Sequence, residues 1–256
     1  MFNNTKKKHL EKRYLNIIKK PLPKHIGIIL DGNGRWAKKR GLPRIMGHAA
    51  GIKRIEAIIP EVKRLGVEVL TLFVFSTENW DRPDEEVNFL MNEAEKIYTR
   101  MLSRVKELGY NVRIIGEVPK EKHELATKIK ELNELGNNEE SFTLCIAFNY
   151  GSRPELIQAT KNIGKMIKDG LLDVEDINEQ LIDDNLYTKG LPPVDLMIRT
   201  SGEMRISNFL LWQISYAELY FPKIYWPDFD CSALYEAIEN YQKRNRRFGK
   251  IGEEDA

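Results

Sequence analysis

The sequence predicts an α/β fold: one domain with a mostly parallel, six-stranded sheet flanked by helices. Two observations support this prediction. Short apolar segments rich in β-branched residues alternate with longer helical segments along the 256 residues, which is typical of a parallel sheet covered on both faces. In addition, neither a linker-like change of composition nor a repeat of solenoid length divides the chain.

The first predicted unit is a strand, a helix and a second strand. His25–Gly32 is short, apolar and β-branched, which indicates a buried strand. A helix is expected from about Gly47 to Leu65, with Gly66 as its C-terminal stop. Val67–Ser76 has the composition of a second buried strand.

A long helix and a third strand follow. The helix is expected over Pro83–Leu108, because Asp84–Glu86 suit its positive N-terminal end and Gly109 can close it. Asn111–Glu117 is the third predicted strand, and a polar helix is expected near Lys120–Leu135.

The apolar residues of this long helix recur at helical spacing and form a full stripe. Such a stripe usually packs into a core, but it can also form the wall of an apolar channel, and periodicity does not separate the two. The stripe consists of Val87, Leu90, Met91, Ala94, Ile97, Tyr98, Met101, Leu102, Val105 and Leu108.

The second half of the chain continues the alternation. Ser141–Tyr150 is the fourth predicted strand. Ser152 and Glu155 then have the spacing of a capping box that opens a helix ending before Gly170. The remaining elements are a helical stretch near Val174–Asn185, strands at Pro192–Gly202 and Glu218–Trp226, and a charged helix over about Ser232–Arg247.

Composition excludes several classes of protein. The net charge of +2 gives no indication of a partner, and no apolar run approaches the length of a membrane span. Cys145 and Cys231 lack metal-type spacing, four scattered histidines form no zinc motif, and Cys145 is expected to be a buried free thiol. These features predict a soluble, cytoplasmic protein.

The first 24 residues are rich in lysine and carry Leu10, Tyr14 and Ile17 on one possible helical face. We expect a flexible tail, with a helix resting on an anionic membrane surface as the alternative. No nucleic-acid recognition module accompanies these lysines, so no nucleic-acid partner is expected.

Four loops carry the unusual polar residues, and each follows a predicted strand. They begin at Asp31, Ser76, Asn149 and Arg199. Ligands of open α/β sheets bind beyond the carboxyl ends of the strands. The four loops therefore predict one cleft at that edge.

The loop Asp31–Arg35 contains an acid, two glycines and a cation. Glycine lets backbone amides approach an anion closely, and Arg35, Arg44 and His48 add positive character, so the loop suits a diphosphate. Asp31 would repel that diphosphate unless a cation such as Mg²⁺ lay between them. The plainer alternatives are a turn residue at Asp31 and a solvated face for the cations, Lys38, Lys39 and Arg40 among them.

The same loop formally matches the dinucleotide fingerprint G-x-G-x-x-A. Its context argues against that function, because Gly41-Leu-Pro43 interrupts the helix that should begin at once. Farther along, Arg199 and Arg205 form a second cationic pair, with Ser201 and Ser207 as nearby donors. Two cationic loops and one acid indicate two phosphorylated substrates, although surface ion pairing with Asp195 and Glu203 is the alternative for Arg199 and Arg205.

Eight blocks of the sequence, in order from about His25 to Gly249, resemble the cis-prenyltransferase family, above all its bacterial undecaprenyl diphosphate synthases. The blocks are HIGIILDGNGRWAKKRG, GH at Gly47-His48, FSTENWDRP, NYGSR, VDLMIRTSGE, RISNFLLWQ, YAELYF and WPDFD. They cover nearly the whole chain. The resemblance implies a catalytic domain over 25–249, a basic extension over 1–24 and a C-terminal tail over 250–256.

The resemblance implies a Mg²⁺-dependent transferase. Such an enzyme condenses isopentenyl diphosphate repeatedly onto an allylic diphosphate, here expected to be farnesyl diphosphate, with new cis double bonds. The implied product is a long-chain polyprenyl diphosphate, expected to be undecaprenyl diphosphate, the lipid carrier for cell-wall glycan synthesis. It grows in an apolar channel between sheet and helices. A homodimer in the cytoplasm, with peripheral contact to the inner face of the membrane, is also expected.

Site residues carry over by position. Asp31 and Asn79 are expected to be catalytic, with Asn79 taking part in proton removal, and Asp31 and Glu218 are expected to bind the metal. The allylic diphosphate is assigned to Gly32, Asn33, Gly34, Arg35, Trp36, Arg44 and His48. A mobile catalytic loop is assigned to Ser76, Thr77, Glu78, Trp80 and Arg82, and isopentenyl diphosphate to Arg199, Arg205, Ile206 and Ser207.

The sequence does not define the roles of two positions. Met204 stands where relatives often carry a polar residue, and Val74 precedes the catalytic loop, where it is expected to face the channel and affect chain length in an undetermined direction. The DDxxD motif of trans-prenyltransferases is missing, since Asp183-Asp184 is followed by Asn-Leu-Tyr. Alternative functions are a non-catalytic scaffold of the same fold or a nucleotide-binding α/β enzyme.

Overall fold

A six-stranded sheet with all strands parallel forms the centre of the protein. The computed structural model describes residues 2–103, 107, 109–118, 122–136 and 141–244. The sheet has the order β3-β4-β2-β1-β5-β6, and the six strands confirm the predicted fold class. They are β1 (His25–Ile29), β2 (Val69–Ser76), β3 (Asn111–Ile115), β4 (Thr143–Tyr150), β5 (Leu196–Arg199) and β6 (Glu218–Tyr220).

Helices connect and cover the strands. They are α1 (Phe2–Ile17), α2 (Asn33–Lys38), α3 (Arg44–Arg64), α4 (Asp84–Ser103), α5 (His123–Leu135), α6 (Ser152–Lys168), α7 (Glu179–Asp183) and α8 (Cys231–Tyr241). Short 3₁₀ turns lie at Thr77–Asp81, Val174–Asp176, Thr200–Gly202 and Trp226–Asp228. The parts of the predicted helices at 104–106, 108, 120–121 and 245–247 lie outside the described residues, as does the predicted tail over 250–256.

Both faces of the sheet are buried, as its apolar strands predict. All five residues of β1 are buried, because two packed layers need apolar side chains on both faces. One face packs into the larger core, with the aromatic side chains of Trp226 and Phe229. On the other face Phe209 stacks on Phe73 at 4.7 Å between ring centroids. Cys145 is a buried free thiol, as predicted, and burial raises its pKa to about 12.

The N-terminal segment contradicts the expectation of a flexible tail. Residues 2–17 form α1, which lies against α8. Arg13 donates hydrogen bonds to both carboxylate oxygens of Glu239 and to the Ser232 hydroxyl, and Ile17 is buried in the core. The apolar positions that the sequence offers at helical spacing are therefore used for packing within the chain.

The predicted capping box at Ser152 is wrong. Ser152 is the first residue of α6, and Gly151 stands at the N-cap position. The Ser152 hydroxyl accepts a hydrogen bond from the Leu211 amide, while Glu155 accepts from the Tyr187 amide and the Gln213 side chain. Both side chains are buried, so they serve contacts between distant segments and are not free to cap the helix.

The turn after α2 corrects one further expectation. A helix does begin directly after the first loop, at Asn33, but it ends after six residues at Lys38. Gly41 has φ 67°, a conformation that glycine adopts without strain, and the Leu42 amide bonds to the Ala37 carbonyl. Pro43 then caps α3. The stretch Gly41–Pro43 therefore follows a short helix α2 and does not prevent that helix from forming.

His25 sits fully buried at the start of β1. One ring nitrogen lies 2.8 Å from the Pro192 carbonyl and the other 2.7 Å from the Thr71 hydroxyl. Burial lowers the pKa of His25 from 6.5 to about 4, with the Pro192 contact opposing the shift. The ring is therefore neutral in the folded protein near pH 7.

This shift predicts acid destabilisation. Between pH 6.5 and 4 the unfolded chain binds a proton at His25 that the folded chain does not, so stability falls as the pH falls. At about 1.4 kcal/mol per pKa unit, the loss reaches roughly 3 kcal/mol near pH 4. Urea unfolding across this range should show the loss in the wild type, and the loss in His25→Gln should be smaller by about that amount, while the contribution of His48 remains in both proteins. His123→Gln, on the exposed part of α5, is the control, and parallel profiles for wild type and His25→Gln would contradict the assignment.

Candidate active site

A cavity of about 960 Å³ lies between the sheet and helices α3 and α4. Its polar mouth is at the carboxyl ends of β1, β2 and β5, which carry three of the four loops predicted to form the cleft; the fourth loop, which begins at Asn149, does not line the cavity. Its interior runs along the sheet and is lined mainly by apolar side chains. The apolar lining includes Ile52, Ile55, Ile59, Val74, Leu90, Ala94, Ile97, Met101, Leu144 and Ile146.

The stripe on α4 is divided between the two functions considered for it. Val87 and Met91 are buried in the core. Leu90, Ile97 and Met101 line the cavity and remain partly accessible. Helix α4 therefore packs into the core with one part of its apolar stripe, and the other part forms a wall of the channel.

The loop after β1 forms one side of the mouth. Gly32 has φ 101°, and a Cβ atom there would lie 2.7 Å from the Tyr225 ring. A Cβ atom at Gly34 would lie 2.7 Å from the Arg44 guanidinium. Gly32 is thus required by its backbone conformation, whereas a side chain at Gly34 would displace the flexible end of the Arg44 side chain. Asn33 also lines the cavity, and its amide group donates to the Leu30 carbonyl.

Asp31 lies between two arginines at the mouth. One carboxylate oxygen is 2.8 Å from Arg35 and the other is 3.0 Å from Arg199. Arg199 is almost fully buried and also donates to the Arg205 carbonyl and the Ser207 hydroxyl. Its Nε has no hydrogen-bond partner among the described residues. Arg199 therefore offers a buried, unused donor at the mouth.

Glu203 joins the two cationic loops. Its two carboxylate oxygens lie 2.5 Å from Arg35 and 2.5 Å from Arg205. The hydrogen bonds from Arg205 and Arg35 lower the pKa of Glu203. The alternative of surface ion pairing with Glu203 is therefore correct for Arg205, while Arg199 pairs with Asp31 and not with Asp195.

Glu86, which sequence reasoning did not assign to the site, organises the opposite side of the mouth. Its carboxylate contacts Arg44 at 2.8 Å, His48 at 2.9 Å and Arg82 at 3.0 Å. Burial alone would raise the pKa of Glu86, but the hydrogen bond from Arg44 and the charges of His48 and Arg82 outweigh it and lower the pKa to about 2. Burial lowers the pKa of His48. The four-residue spacing from Arg82 to Glu86 is the sequence feature that could have predicted this ion pair.

The segment after β2 closes the mouth from above the sheet. The Asn79 side-chain oxygen accepts a hydrogen bond from the Ser76 amide at 3.1 Å. Ser76, Glu78, Asn79 and Arg82 line the cavity. Thr77 and Trp80 are not in the lining, and the Trp80 indole donates to Asn149.

Three further predicted site residues lie away from the cavity. The Trp36 indole donates to Asp228 at 2.7 Å and is stacked by Arg40, so Arg40 has a structural partner. Ile206 packs against the core on the other face of the sheet. Glu218 pairs with Arg244 at 2.6 Å.

Met204 is exposed, and Lys38 and Lys39 are exposed as well.

The predicted metal pair, Asp31 and Glu218, is not brought together in one chain. Glu218 lies in the row of Ile26 across β5, five residues before Asp31. At about 3.3 Å per residue, the two carboxylates are separated by about 16 Å along the strand direction. They cannot bind the same ion within one molecule, because Asp31 follows the carboxyl end of β1, whereas Glu218 lies at the amino end of β6.

The mouth nevertheless fits a metal that arrives with a phosphate ligand. In the described part of the chain, no group of three or more acidic, histidine or cysteine side chains could hold an ion alone. Asp31 is a single carboxylate at the cavity, and Mg²⁺ is commonly bound by one or two carboxylates together with substrate phosphates. The donor set therefore suits a metal–diphosphate complex and not a resident metal centre.

The combination of a cationic mouth and an apolar interior suits one kind of molecule. Arginine forks bind phosphate oxygens in pairs, and a cavity wall of isoleucine and leucine accepts a hydrocarbon chain. Fold and site together define a protein that binds a diphosphate with a long apolar tail.

Comparison with known proteins gives the family. The family model described as "Putative undecaprenyl diphosphate synthase" matches residues 29–249. The chain belongs to this prenyltransferase family. An isoprenyl transferase of Clostridium perfringens is 45% identical over 247 residues, which cover 96% of this chain and 98% of that protein.

Two other relatives are informative. The ditrans,polycis-undecaprenyl-diphosphate synthase ((2E,6E)-farnesyl-diphosphate specific) of Pasteurella multocida is 46% identical over 228 residues, covering 89% of this chain and 95% of that protein. The solved structure of lavandulyl diphosphate synthase from Lavandula x intermedia, in complex with dimethylallyl diphosphate, has a TM-score of 0.84 and 32% identity, and covers 90% of this chain and 99% of that chain.

The geometry of Arg199 predicts how the mouth binds inorganic diphosphate. Arg199→Lys keeps the charge but loses the planar fork and its free Nε, so affinity should fall at least about 10-fold. Isothermal titration calorimetry measures this change. Arg113→Lys, which alters a β3 side chain bonded to the Lys189 carbonyl, is the matched control. Equal affinity of wild type and Arg199→Lys would contradict the role of the fork.

Proposed function

We propose that the protein catalyses Mg²⁺-dependent, sequential cis-condensation of isopentenyl diphosphate onto an allylic diphosphate. The observation that carries the proposal is the direct continuity of the cationic mouth with the apolar cavity. The names of the relatives support farnesyl diphosphate as primer and undecaprenyl diphosphate as product. Such a product would carry glycan units for the cell wall. The catalytic domain is proposed to extend over residues 25–249.

The two diphosphates are assigned to the two sides of the mouth. The allylic diphosphate lies against the amides of Gly32, Asn33 and Gly34 with Arg35, Arg44 and His48 around it. Trp36 supports that loop from outside through its bond to Asp228. Isopentenyl diphosphate lies against Arg199, Arg205 and Ser207, with Ile206 packed beneath this loop.

Carboxylates occupy the cations in the free protein. Glu86 holds Arg44 and Arg82, and Glu203 holds Arg35 and Arg205. A diphosphate carries more charge and more acceptor oxygens than a carboxylate, so it competes successfully for the same guanidinium groups. The carboxylates thereby keep the arginines extended at the mouth before substrate binds.

Asp31 is proposed as the metal ligand. When bound, Mg²⁺ supplies charge neutralisation on the departing diphosphate. Asp31 orients that complex, and Arg35 and Arg199 fix both of its carboxylate oxygens. Glu218 is proposed to approach a metal only in a homodimer, where its edge strand would meet a second copy. The exposed Leu211 and Tyr216 support an interface in this segment.

Asn79 is proposed to position the reacting atoms during proton removal. An amide is a poor base, and its oxygen is already bonded to the Ser76 amide. The Asn79 amino group remains to orient a substrate, and a diphosphate oxygen accepts the proton. Ser76, Thr77, Glu78, Trp80 and Arg82 complete this loop, in which Arg82 contacts the diphosphate after leaving Glu86.

The product suggests where the protein acts. No described helix is both long and apolar enough to cross a membrane. We propose a cytoplasmic location with peripheral contact to the inner face of the membrane, because a polyprenyl chain of this length partitions into lipid.

Turnover tests the function directly. Purified protein with farnesyl diphosphate, radiolabelled isopentenyl diphosphate and Mg²⁺ should form a butanol-soluble product. Asp31→Asn should lower kcat by at least about 100-fold, because the developing diphosphate charge loses its metal ligand. Asp169→Asn, at the exposed end of α6, is the matched control. No product with wild type, or full turnover by Asp31→Asn, would refute the proposal.

Val74 provides a test of the channel. Its side chain is half-buried and lines the cavity, so Val74→Phe should shorten the polyprenyl product while the first condensation proceeds at a similar rate. Chromatography of the dephosphorylated products measures chain length. Val174→Phe makes the same change at an exposed site and should leave the length distribution unchanged. An unaltered product from Val74→Phe would mean that the chain does not grow past this residue.

A further inference from the structure

The outward side of α1 carries a pattern that the proposed reaction does not use. We call it the α1 outer face. It consists of four lysines and two apolar residues, all of them exposed: Lys7, Lys8, Lys12, Leu15, Ile18 and Lys19. At about 100° per residue the members on α1 itself, Lys7, Lys8, Lys12 and Leu15, fall within an arc of about 140° and so point to the same side of the helix. Ile18 and Lys19 lie in the turn that directly follows Ile17, and the Ile18 amide still bonds to the Tyr14 carbonyl.

The orientation of this face is fixed by the opposite side of α1. Ile17 is buried, and Leu10 and Tyr14 pack against the core. Arg13 is bound to Glu239, and the Arg64 guanidinium stacks on the Tyr14 ring at 3.7 Å. Because these contacts hold the inner side of α1 on α8 and α3, the outer face is presented to the exterior as a formed surface.

The lysines of the outer face are not balanced by ion pairs. The same arc contains one acid, the exposed Glu11, but its carboxylate is already paired with Arg64 at 2.8 Å. None of the four lysines forms an ion pair within the described part of the chain. The protein as a whole carries only +2, and charges farther than about 10 Å are screened at 0.1 M salt. Attraction of an anionic partner must therefore be local to this face.

Apolar exposure among the lysines indicates the kind of partner. Leu15 is 47% exposed and Ile18 40% exposed, and Lys8, Lys12 and Lys19 surround Leu15 on the helix surface. A nucleic acid or an acidic peptide would use the charges but not the leucine. An anionic bilayer uses both, since its headgroups attract lysines and its acyl boundary accepts short apolar side chains.

The position of α1 relates this face to the cavity. The Tyr14 hydroxyl donates to the Arg64 carbonyl at the end of α3. Near the same end, Ile59 of α3 lines the cavity, and Lys63 contacts the Gly109 carbonyl next to the lining residue Tyr110. The apolar end of the cavity and the outer face thus lie at the same end of α3, away from the cationic mouth.

We propose that the α1 outer face docks the protein onto an anionic phospholipid bilayer. The lysines contact headgroup phosphates, and Leu15 and Ile18 enter the boundary between headgroups and acyl chains. The bound protein then holds the apolar end of its cavity toward the membrane that receives the product. This role of the membrane rests on the proposed function, whereas the docking itself can be measured without substrate.

Vesicle flotation with the full-length protein tests the proposal. We expect binding to vesicles of phosphatidylcholine with 30% phosphatidylglycerol at 0.1 M salt, and little binding to pure phosphatidylcholine. The triple variant Lys8→Gln, Lys12→Gln, Lys19→Gln should lower the partition coefficient at least about 10-fold. Leu15→Gln should lower it several-fold without any change of charge.

Matched controls separate this face from general attraction. The triple variant Lys161→Gln, Lys165→Gln, Lys168→Gln makes the same charge change on exposed positions of α6, and Leu171→Gln removes a leucine that is 70% exposed. Both should bind vesicles as the wild type does. Unchanged thermal melting and unchanged turnover in detergent show that the α1 variants are folded.

Several results would overturn the proposal. Equal binding to neutral and anionic vesicles, equal losses in the α1 and α6 variants, or full binding by Leu15→Gln would each contradict it. Binding of RNA or of an acidic peptide by the lysines, without vesicle binding, would assign the face to another partner. Because flotation contains no substrate, loss of vesicle binding and loss of prenyl transfer are distinguishable.

Discussion

Charge compensation at the mouth of the cavity is the constraint on which the rest of the site depends. Five arginines converge there, and a buried guanidinium is costly without a partner. Asp31, Glu86 and Glu203 supply those partners, each contacting two or more cations. The loops after β1 and β5 are thereby held to each other, and the segment after β2 is held to the start of α3, before any ligand binds. The same pairs hold the guanidinium groups at the mouth of the cavity, where the proposed function has the two diphosphates bind.

The empty space behind the mouth follows from how α3 and α4 are placed. Each helix buries one edge of its apolar stripe in the core, and the other edges face each other across the cavity. The half-buried isoleucines on α3 and the half-buried leucine and methionine on α4 line the cavity, so their apolar surface contributes less to the stability of the protein than full burial would. They are explained when a hydrocarbon chain supplies the missing contacts.

The strands and most helices were predictable because apolar period and glycine stops are local signals. The positions of Asp31 and Arg199 followed from the rule that parallel strands end at one edge. Glu86 was missed because its N-terminal place on α4 explained it equally well as a partner of the helix dipole. Ser152 and Glu155 were misread for the same reason. A local motif was present, but Leu211 and Gln213, more than 50 residues away, determine what those side chains bond to.

The neighbouring positions of β1 and β5 in the sheet have a geometric consequence. Ile29 and Arg199 are paired across these strands, so the loops that follow them start one strand spacing apart, about 4.8 Å. In the proposed function these two loops bind the two diphosphates, and the backbone hydrogen-bond ladder fixes how far apart the two loops begin. Side-chain substitutions can alter how firmly each group is held. The distance between the starts of these two loops is therefore a property of the fold.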